Sequence, residues 1–261
     1  MTAANISKAQ KLARECVKRT TKGAKNMKRT LTALVLGLSL VLATGGLGYA
    51  QDFQTGLEAY KKGDFITALR EWEPIAEQGD AAVQYNLGLM YQNGQVGTQD
   101  YKEAVKWYFK SGEQGYAEAQ YNLGVMYEQG QGVIQNYKEA VKWWSKAAEQ
   151  GNAIAQYNLG VVYEKGQGVS LDYKEAVKWY RKAAEQGYAK SQGNLGVMYG
   201  NGYGVLQNNI YAHMWLNIAA SNGRDKAVKN RDIIVELMTP AQIAEAQALA
   251  RECVKKNYKR C

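Results

Sequence analysis

The chain has 261 residues, 46% of them hydrophobic and 22% charged, with 33 Lys and Arg against 24 Asp and Glu for a formal charge of +9. Three cysteines and two prolines in this length exclude a disulfide-packed miniature scaffold and a collagen-like chain. The basic excess does not mark a nucleic-acid binder, because residues 1–50 hold nine Lys or Arg and one acid, Glu15; subtracting these from 33 and 24 leaves 24 basic and 23 acidic residues from Gln51 onward.

Residues 27–50, MKRTLTALVLGLSLVLATGGLGYA, have a short basic front (Lys28, Arg29), an apolar run from Leu31 to Ala43, and small residues at Gly48 and Ala50. This is the pattern of a secretory signal peptide cleaved before Gln51. The alternative, an uncleaved anchor, asks for about 20 apolar residues, more than the run supplies. Residues 1–26 precede a segment that belongs at a terminus. MTAANISKAQKLARECVK (1–18) matches MTPAQIAEAQALARECVK (238–255) at 13 of 18 positions. Two readings stay open: a spurious upstream extension copied from the tail of a sister protein, with Met27 as the start, or an N-terminal helix packing like the C-terminal one. The expected location is the periplasm or outside the cell, with no membrane span after cleavage.

From Gln51 to Gly79, Phe53, Leu57 and Tyr60 fall at helical spacing, Gly63-Asp64 makes a turn, and Phe65, Ala68, Leu69 and Trp72 restart the period, so an atypical N-terminal helix pair is expected. Four repeats of 36 residues follow at 80–115, 116–151, 152–187 and 188–223, the middle two identical at 27 of 36 positions. In the second repeat, apolar spacing predicts a first helix from about Ala117 to Gln129, broken by Gly130-Gln131-Gly132. A second helix starts near Asn136, where Asn136 and its counterparts Asp100 and Asp172 offer N-cap oxygens, and ends at Gly151 as a left-handed cap. Gly88, Gly124, Gly160 and Gly196 recur inside the first helices. A glycine there costs about 1 kcal/mol against alanine, and its recurrence predicts close approach of two helix backbones.

In repeats one to three a stripe of lysines runs along the second helices: Lys102, Lys106, Lys110; Lys138, Lys142, Lys146; Lys174, Lys178, Lys182. Repeat four puts Ile210, Met214 and Ile218 at these places. An apolar stripe replacing a solvated one predicts a cover, and residues 224–238 supply Ala227, Val228, Ile234, Val235 and Met238 at helical spacing. Thr239-Pro240-Ala241-Gln242 has the chemistry of a capping box opening a last helix. Residues 224–261 are therefore expected to form a C-terminal helical cap. Cys253 and Cys261 are an even pair that permits a disulfide, with free thiols or intermolecular pairing as the alternatives.

The run Ala-x-Ala-Gln-Tyr-Asn-Leu-Gly-Val-Met-Tyr-Glu-Gln-Gly-Gln-Gly-Val, followed by Tyr-Lys-Glu-Ala-Val-Lys-Trp and Ala-Ala-Glu-Gln-Gly, resembles the Sel-one-like repeat, a relative of the tetratricopeptide repeat. The resemblance covers 80–223. It implies an all-α fold, a right-handed superhelical solenoid of antiparallel helix pairs, and a role as an adaptor that assembles proteins. Some exported relatives carry a Cys pair in every repeat and are described as penicillin-binding or β-lactamase proteins; no full repeat of this chain contains Cys.

Three functional readings follow. If the first helices line an inner, concave face, Tyr85, Tyr121, Tyr157 and Gly193 share one rung, with Asn86, Asn122, Asn158 and Asn194 beside them and Glu128, Glu164 and Gly200 further on. Aromatic faces with amide donors suit a peptide backbone; the alternative is that the tyrosines pack repeats together and the asparagines tie down loops. The loss of the ring at Gly193 and of the carboxylate at Gly200 predicts a pocket near repeat four. The lysine stripe suggests a second reading, a binder of anionic envelope components. The third is a β-lactamase-like or cell-wall enzyme. Against it, the single His213 stands in a helix between Ala212 and Met214, no Ser-x-x-Lys motif exists, and no His or Cys group has metal-ligand spacing. No catalytic residue, metal or cofactor is expected; the partner is a protein or peptide.

Overall fold

The computed structural model describes residues 51–261; the expected leader at 1–26 and signal peptide at 27–50 lie outside the described residues. Every regular element among the described residues is a helix. The chain divides into two compact units at Asp100 and Tyr101.

The first unit contains α1 (51–62), α2 (Phe65–Glu77) and α3 (Ala81–Gln92). Gly63, at φ +79°, turns the chain, and the Asp64 carboxylate caps α2 by accepting from the Thr67 amide. The core is built on Trp72, which stacks on Tyr60 at 5.5 Å and Phe53 at 6.3 Å and donates its indole N–H to the Phe53 carbonyl.

The second unit contains α4 (Tyr101–Glu113), α5 (Ala117–Gln129), α6 (Tyr137–Glu149), α7 (Ala153–Lys165), α8 (Tyr173–Ala184), α9 (Ala189–Asn201), α10 (Asn209–Ser221), α11 (Asp225–Val235) and α12 (Pro240–Lys255). Each helix packs on the next from α4 to α11, and α12 packs back on α10, so the array is an all-α solenoid of helix pairs. Local chemistry sets the boundaries. Asn136, Asp172 and Asn208 cap the second helices through side-chain oxygens. The first helices end at Gly130, Gly166 and Gly202, all left-handed. Two residues later the loop presses on its neighbour: a Cβ on Gly132 would lie 2.3 Å from the Tyr101 carbonyl oxygen, and Gly168 and Gly204 meet the Tyr137 and Tyr173 backbones the same way. These glycines tie each loop to the start of the preceding second helix.

At Gly124 and Gly160 the helix glycine does something other than admit a neighbouring backbone. A Cβ on Gly124 would lie 2.3 Å from the Trp144 ring, and one on Gly160 2.4 Å from the Tyr180 ring. The space is taken by a large side chain of the paired helix, whereas at Gly196 partner backbone does come close, as expected, with the Ala212 carbonyl oxygen at 3.0 Å and the Leu216 nitrogen at 3.1 Å. The gain that offsets the helix penalty is burial of an aromatic ring: Trp144 and Tyr180 are both fully buried.

A polar ladder also joins the repeats. Gln120, Gln156 and Gln192, in the first turns of α5, α7 and α9, are buried. Each donates its amide N–H to a carbonyl in the last turn of the preceding second helix: Gly112, Ala148 and Ala184. Each accepts from the residue 30 positions on: Gln150, Gln186 and Asn222. The orphan carbonyls that every helix end leaves are thus satisfied across the repeat boundary.

The cap on repeat four is made differently from the expectation. Met214 and Ile218 are buried, but against Ala250 and Cys253 of α12, with Leu249, Tyr258 and Cys261 alongside. The segment from Arg224, which was expected to cover this stripe, packs on another side of α10: Ala227 and Ile234 of α11 meet Leu216 and Ala219. Val228 is left 37% exposed. The reason is connectivity. Gly223 leads straight from α10 into α11, and only α12, one turn further along the chain, reaches the lysine-equivalent side. Thr239 and Gln242 form the capping box at its start, and Cys253 and Cys261 are joined by a disulfide.

Candidate functional site

Three surfaces of the second unit compete for a functional role. The second-helix face carries the lysines, and most of them are engaged within it. Lys110, Lys146 and Lys182 lie over Trp107, Trp143 and Trp179 at 4.3, 4.2 and 4.2 Å. Lys106, Lys142 and Lys178 pair with Glu103, Glu139 and Glu175 one helical turn back. Lys146 also bridges to Glu113 of the preceding second helix at 2.9 Å. Each exposed pair contributes less than about 1 kcal/mol, yet the pattern repeats: long lysine stems shield the tryptophans and hold their ammonium groups next to carboxylates.

The first-helix face is different. Tyr121 and Asn122 project from α5 and Tyr157 and Asn158 from α7, all half-buried. Tyr85 and Asn86 are likewise half-buried on α3 of the first unit. Tyr121 flanks one core cluster and Tyr157 another. Each ring therefore packs between repeats, as the packing reading of the tyrosines expects, and keeps part of its surface in solvent. The side chains of Asn122 and Asn158 make no hydrogen bond among the described residues, and do not tie down loops. Asn194 stands near the Tyr180 hydroxyl and favours its ionised form.

Electrostatics keeps the phenols of this face neutral. Burial raises Tyr121, and Glu128 adds to it; burial raises Tyr157, with Arg224 opposing and Glu164 adding. Burial likewise raises the Glu128 carboxyl, while Lys165 works against it. Glu164 has a fixed partner, accepting from the Tyr180 hydroxyl, and Tyr180 is driven far above the ordinary phenol range, by burial first. The tyrosines therefore remain hydrogen-bond donors across the physiological range.

Sequence reasoning missed two members of this face. Tyr188 lies against Tyr157, ring centroids 5.3 Å apart, and burial raises its phenol too. Arg224 lays its stem over Gly193, where a Cβ would meet Arg224 Cγ at 3.7 Å. The space expected to open at Gly193 is filled by this arginine, which stands 36 residues after Tyr188 in the repeat register. At Gly200 a partly open pocket of about 180 Å³ does lie, lined by Gly196, Val197, Gly200, Leu216, Ile233 and Ile234 among others. At the missing carboxylate a Cβ built on Gly200 would meet Ile234 Cδ1 at 3.0 Å and Ala212 Cβ at 3.7 Å.

His213 is buried, its Nδ1 without a hydrogen-bond partner among the described residues. Burial lowers its pKa, Arg231 lowers it further and Asp232 opposes. It is packed under α11 rather than set in a cleft. Among the described residues no group of three His, Cys, Asp or Glu side chains gathers as metal ligands do, and no helix is long and apolar enough to cross a membrane.

An array of helix pairs that leaves one face of donors and rings open is the architecture of a protein-interaction solenoid. The Sel1 repeat family model matches residues 81–116, 117–152, 153–188 and 189–223, and the chain belongs to that family. Among solved structures, a Sel1 repeat protein from Oxalobacter formigenes is 33% identical over 78% of this chain and 77% of its own, with a TM-score of 0.63. The c5321 protein of uropathogenic Escherichia coli, described as a protective antigen displaying an SLR fold, is 28% identical over 83% of this chain and 56% of its own, with a TM-score of 0.53. No curated protein matches.

Proposed function

We propose that the chain is an adaptor of the cell envelope, periplasmic or secreted, whose first-helix face binds an extended segment of another protein. The observation that carries this reading is a contrast between faces. On the second helices six of the nine stripe lysines (Lys106, Lys110, Lys142, Lys146, Lys178 and Lys182) are engaged by tryptophan rings or glutamates. On the first-helix face Asn122, Asn158 and the hydroxyls of Tyr121, Tyr157 and Tyr188, the last just ahead of α9, have no hydrogen-bond partner among the described residues. Half-buried rings with free donors are low-entropy anchors for a peptide main chain. Export is supported by the signal-like segment 27–50 and by the Cys253–Cys261 disulfide, which suits an oxidising compartment.

Photo-crosslinking in intact cells tests the face. A benzophenone amino acid at Asn158 is expected to trap a discrete partner, and one at Lys142, on the opposite helices, is not. Trapping from Lys142 alone would move the site to the lysine ridge and favour an anionic envelope ligand.

A further inference from the structure

Arg224 is a permanent cation on the first-helix face with no ion pair among the described residues, and its setting names the group it waits for. Its side chain is half-buried and makes no hydrogen bond or ion pair among the described residues. Neighbouring acids are engaged or turned elsewhere. Glu164 accepts from Tyr180, Glu128 faces Lys165, and Asp225, the next residue, is exposed and forms no ion pair with it. A guanidinium never loses its charge and carries five donors in a planar fork, so holding it half-desolvated and unanswered is unfavourable in the free protein.

The repeat register shows that this position is not uniformly used to cap its helix. Residues 80, 116, 152, 188 and 224 are equivalent, each preceding a helix. Asp80 and Asn152 cap their helices with side-chain oxygens. Tyr116, Tyr188 and Arg224 make no side-chain cap, forgoing about 1 kcal/mol each. Tyr188 instead lays its ring on Tyr157, and Arg224 lies over Gly193, where the earlier repeats place a tyrosine. The result is a cradle in which the Arg224 charge acts on both the Tyr157 and Tyr188 phenols, with the Lys190 ammonium 6.0 Å from the Tyr157 ring centre. The uncapped first turn of α11 adds its partial positive charge at the same spot.

We propose that this cradle receives a carboxylate of the bound protein segment: Arg224 takes it through paired N–H donors, and the Tyr157 and Tyr188 hydroxyls complete the contact. The proposal rests on the reading of the first-helix face as a peptide site. Two sources share the chemistry, an Asp or Glu side chain and a free C-terminal carboxylate.

The test uses the full chain and two random decapeptide libraries, one with free C-terminal acids and one amidated, captured on immobilised wild-type protein, Arg224→Gln and Arg224→Lys. Enrichment of Asp and Glu from both libraries identifies a side-chain carboxylate; capture from the free-acid library alone identifies the chain terminus. Either outcome supports the proposal when Arg224→Gln weakens capture at least about tenfold, as loss of a charge-assisted hydrogen bond requires. Arg224→Lys should recover part of it. Unchanged thermal unfolding of both variants shows that the loss is not one of folding. Capture without acidic preference, or equal capture by Arg224→Gln, overturns the carboxylate proposal while leaving a peptide site standing. No capture by the wild-type chain overturns both.

Discussion

Replacing Gly160 by alanine separates two forces of opposite sign. Judged by helix propensity alone, the change stabilises α7 by about 1 kcal/mol. Judged by packing, the new methyl sits 2.4 Å from Cδ1 and Cε1 of Tyr180 and 3.0 Å from Cγ, where carbon contacts settle at about 3.5–4.0 Å. The ring has to move by about 1 Å. It is fully buried and its hydroxyl is held by Glu164, so movement costs about 1–3 kcal/mol of overpacking and strains a hydrogen bond to a charged acceptor that is worth about 1.5–3 kcal/mol. The net expectation is destabilisation of about 2–4 kcal/mol, read as a lowered urea midpoint by far-ultraviolet circular dichroism. In a Tyr180→Ala background the ring is gone, and the same alanine should stabilise. A Gly160→Ala protein more stable than wild type, with Tyr180 in place, would refute the reasoning.

Gln156→Met removes the ladder amide at the α6–α7 junction, leaving the Ala148 carbonyl and the Gln186 amide unanswered; a loss of about 2–4 kcal/mol is expected, against about 1 for Gln186→Ala, both read by thermal unfolding. Ile218→Lys places a charge under Ala250 and Cys253 of α12 and should lower stability by a few kcal/mol; an unchanged melting curve would mean that α12 does not cover the stripe. His213 is held neutral, its folded pKa below the ordinary 6.5. Below that pH the unfolded chain binds the proton more readily, so its share of stability is complete above about pH 6.5 and declines as pH falls, by at most about 1.4 kcal/mol per pH unit. Unfolding followed at pH 8 and pH 5 should show a smaller difference in His213→Gln than in wild type.

Much of the fold is written locally. The first helix at Ala117–Gln129, the caps at Asn136, Asp172 and Thr239, and the left-handed glycines all depend on residues within one helical turn of each other. The face of each helix was legible; the identity of what covers it was not. Gly124 and Gly160 read as a close approach, but whether backbone or ring arrives depends on a residue 20 positions away. The apolar stripe at Met214 and Ile218 announced a cover, yet Ala227 and Ala250 offer similar spacing and only chain reach decides between them. Gln120, Gln156 and Gln192 recur every 36 residues like the tyrosines beside them. A polar residue in the same register as buried alanines was the available signal for the ladder. On the candidate face, Tyr121, Tyr157, Asn122 and Asn158 came from repetition. Arg224 breaks the repetition, and only the placement of its stem over Gly193 brings it in.

The central claim is that protein is bound on the first helices. Amide hydrogen exchange on the complex with the partner trapped at Asn158, made from separately purified chains, tests it most directly. The account predicts slowed exchange in α5, α7 and α9 around Tyr121, Tyr157 and Gly193 and at the start of α11, with α6 and α8 unchanged. Protection confined to the lysine-bearing α6 and α8 would contradict it.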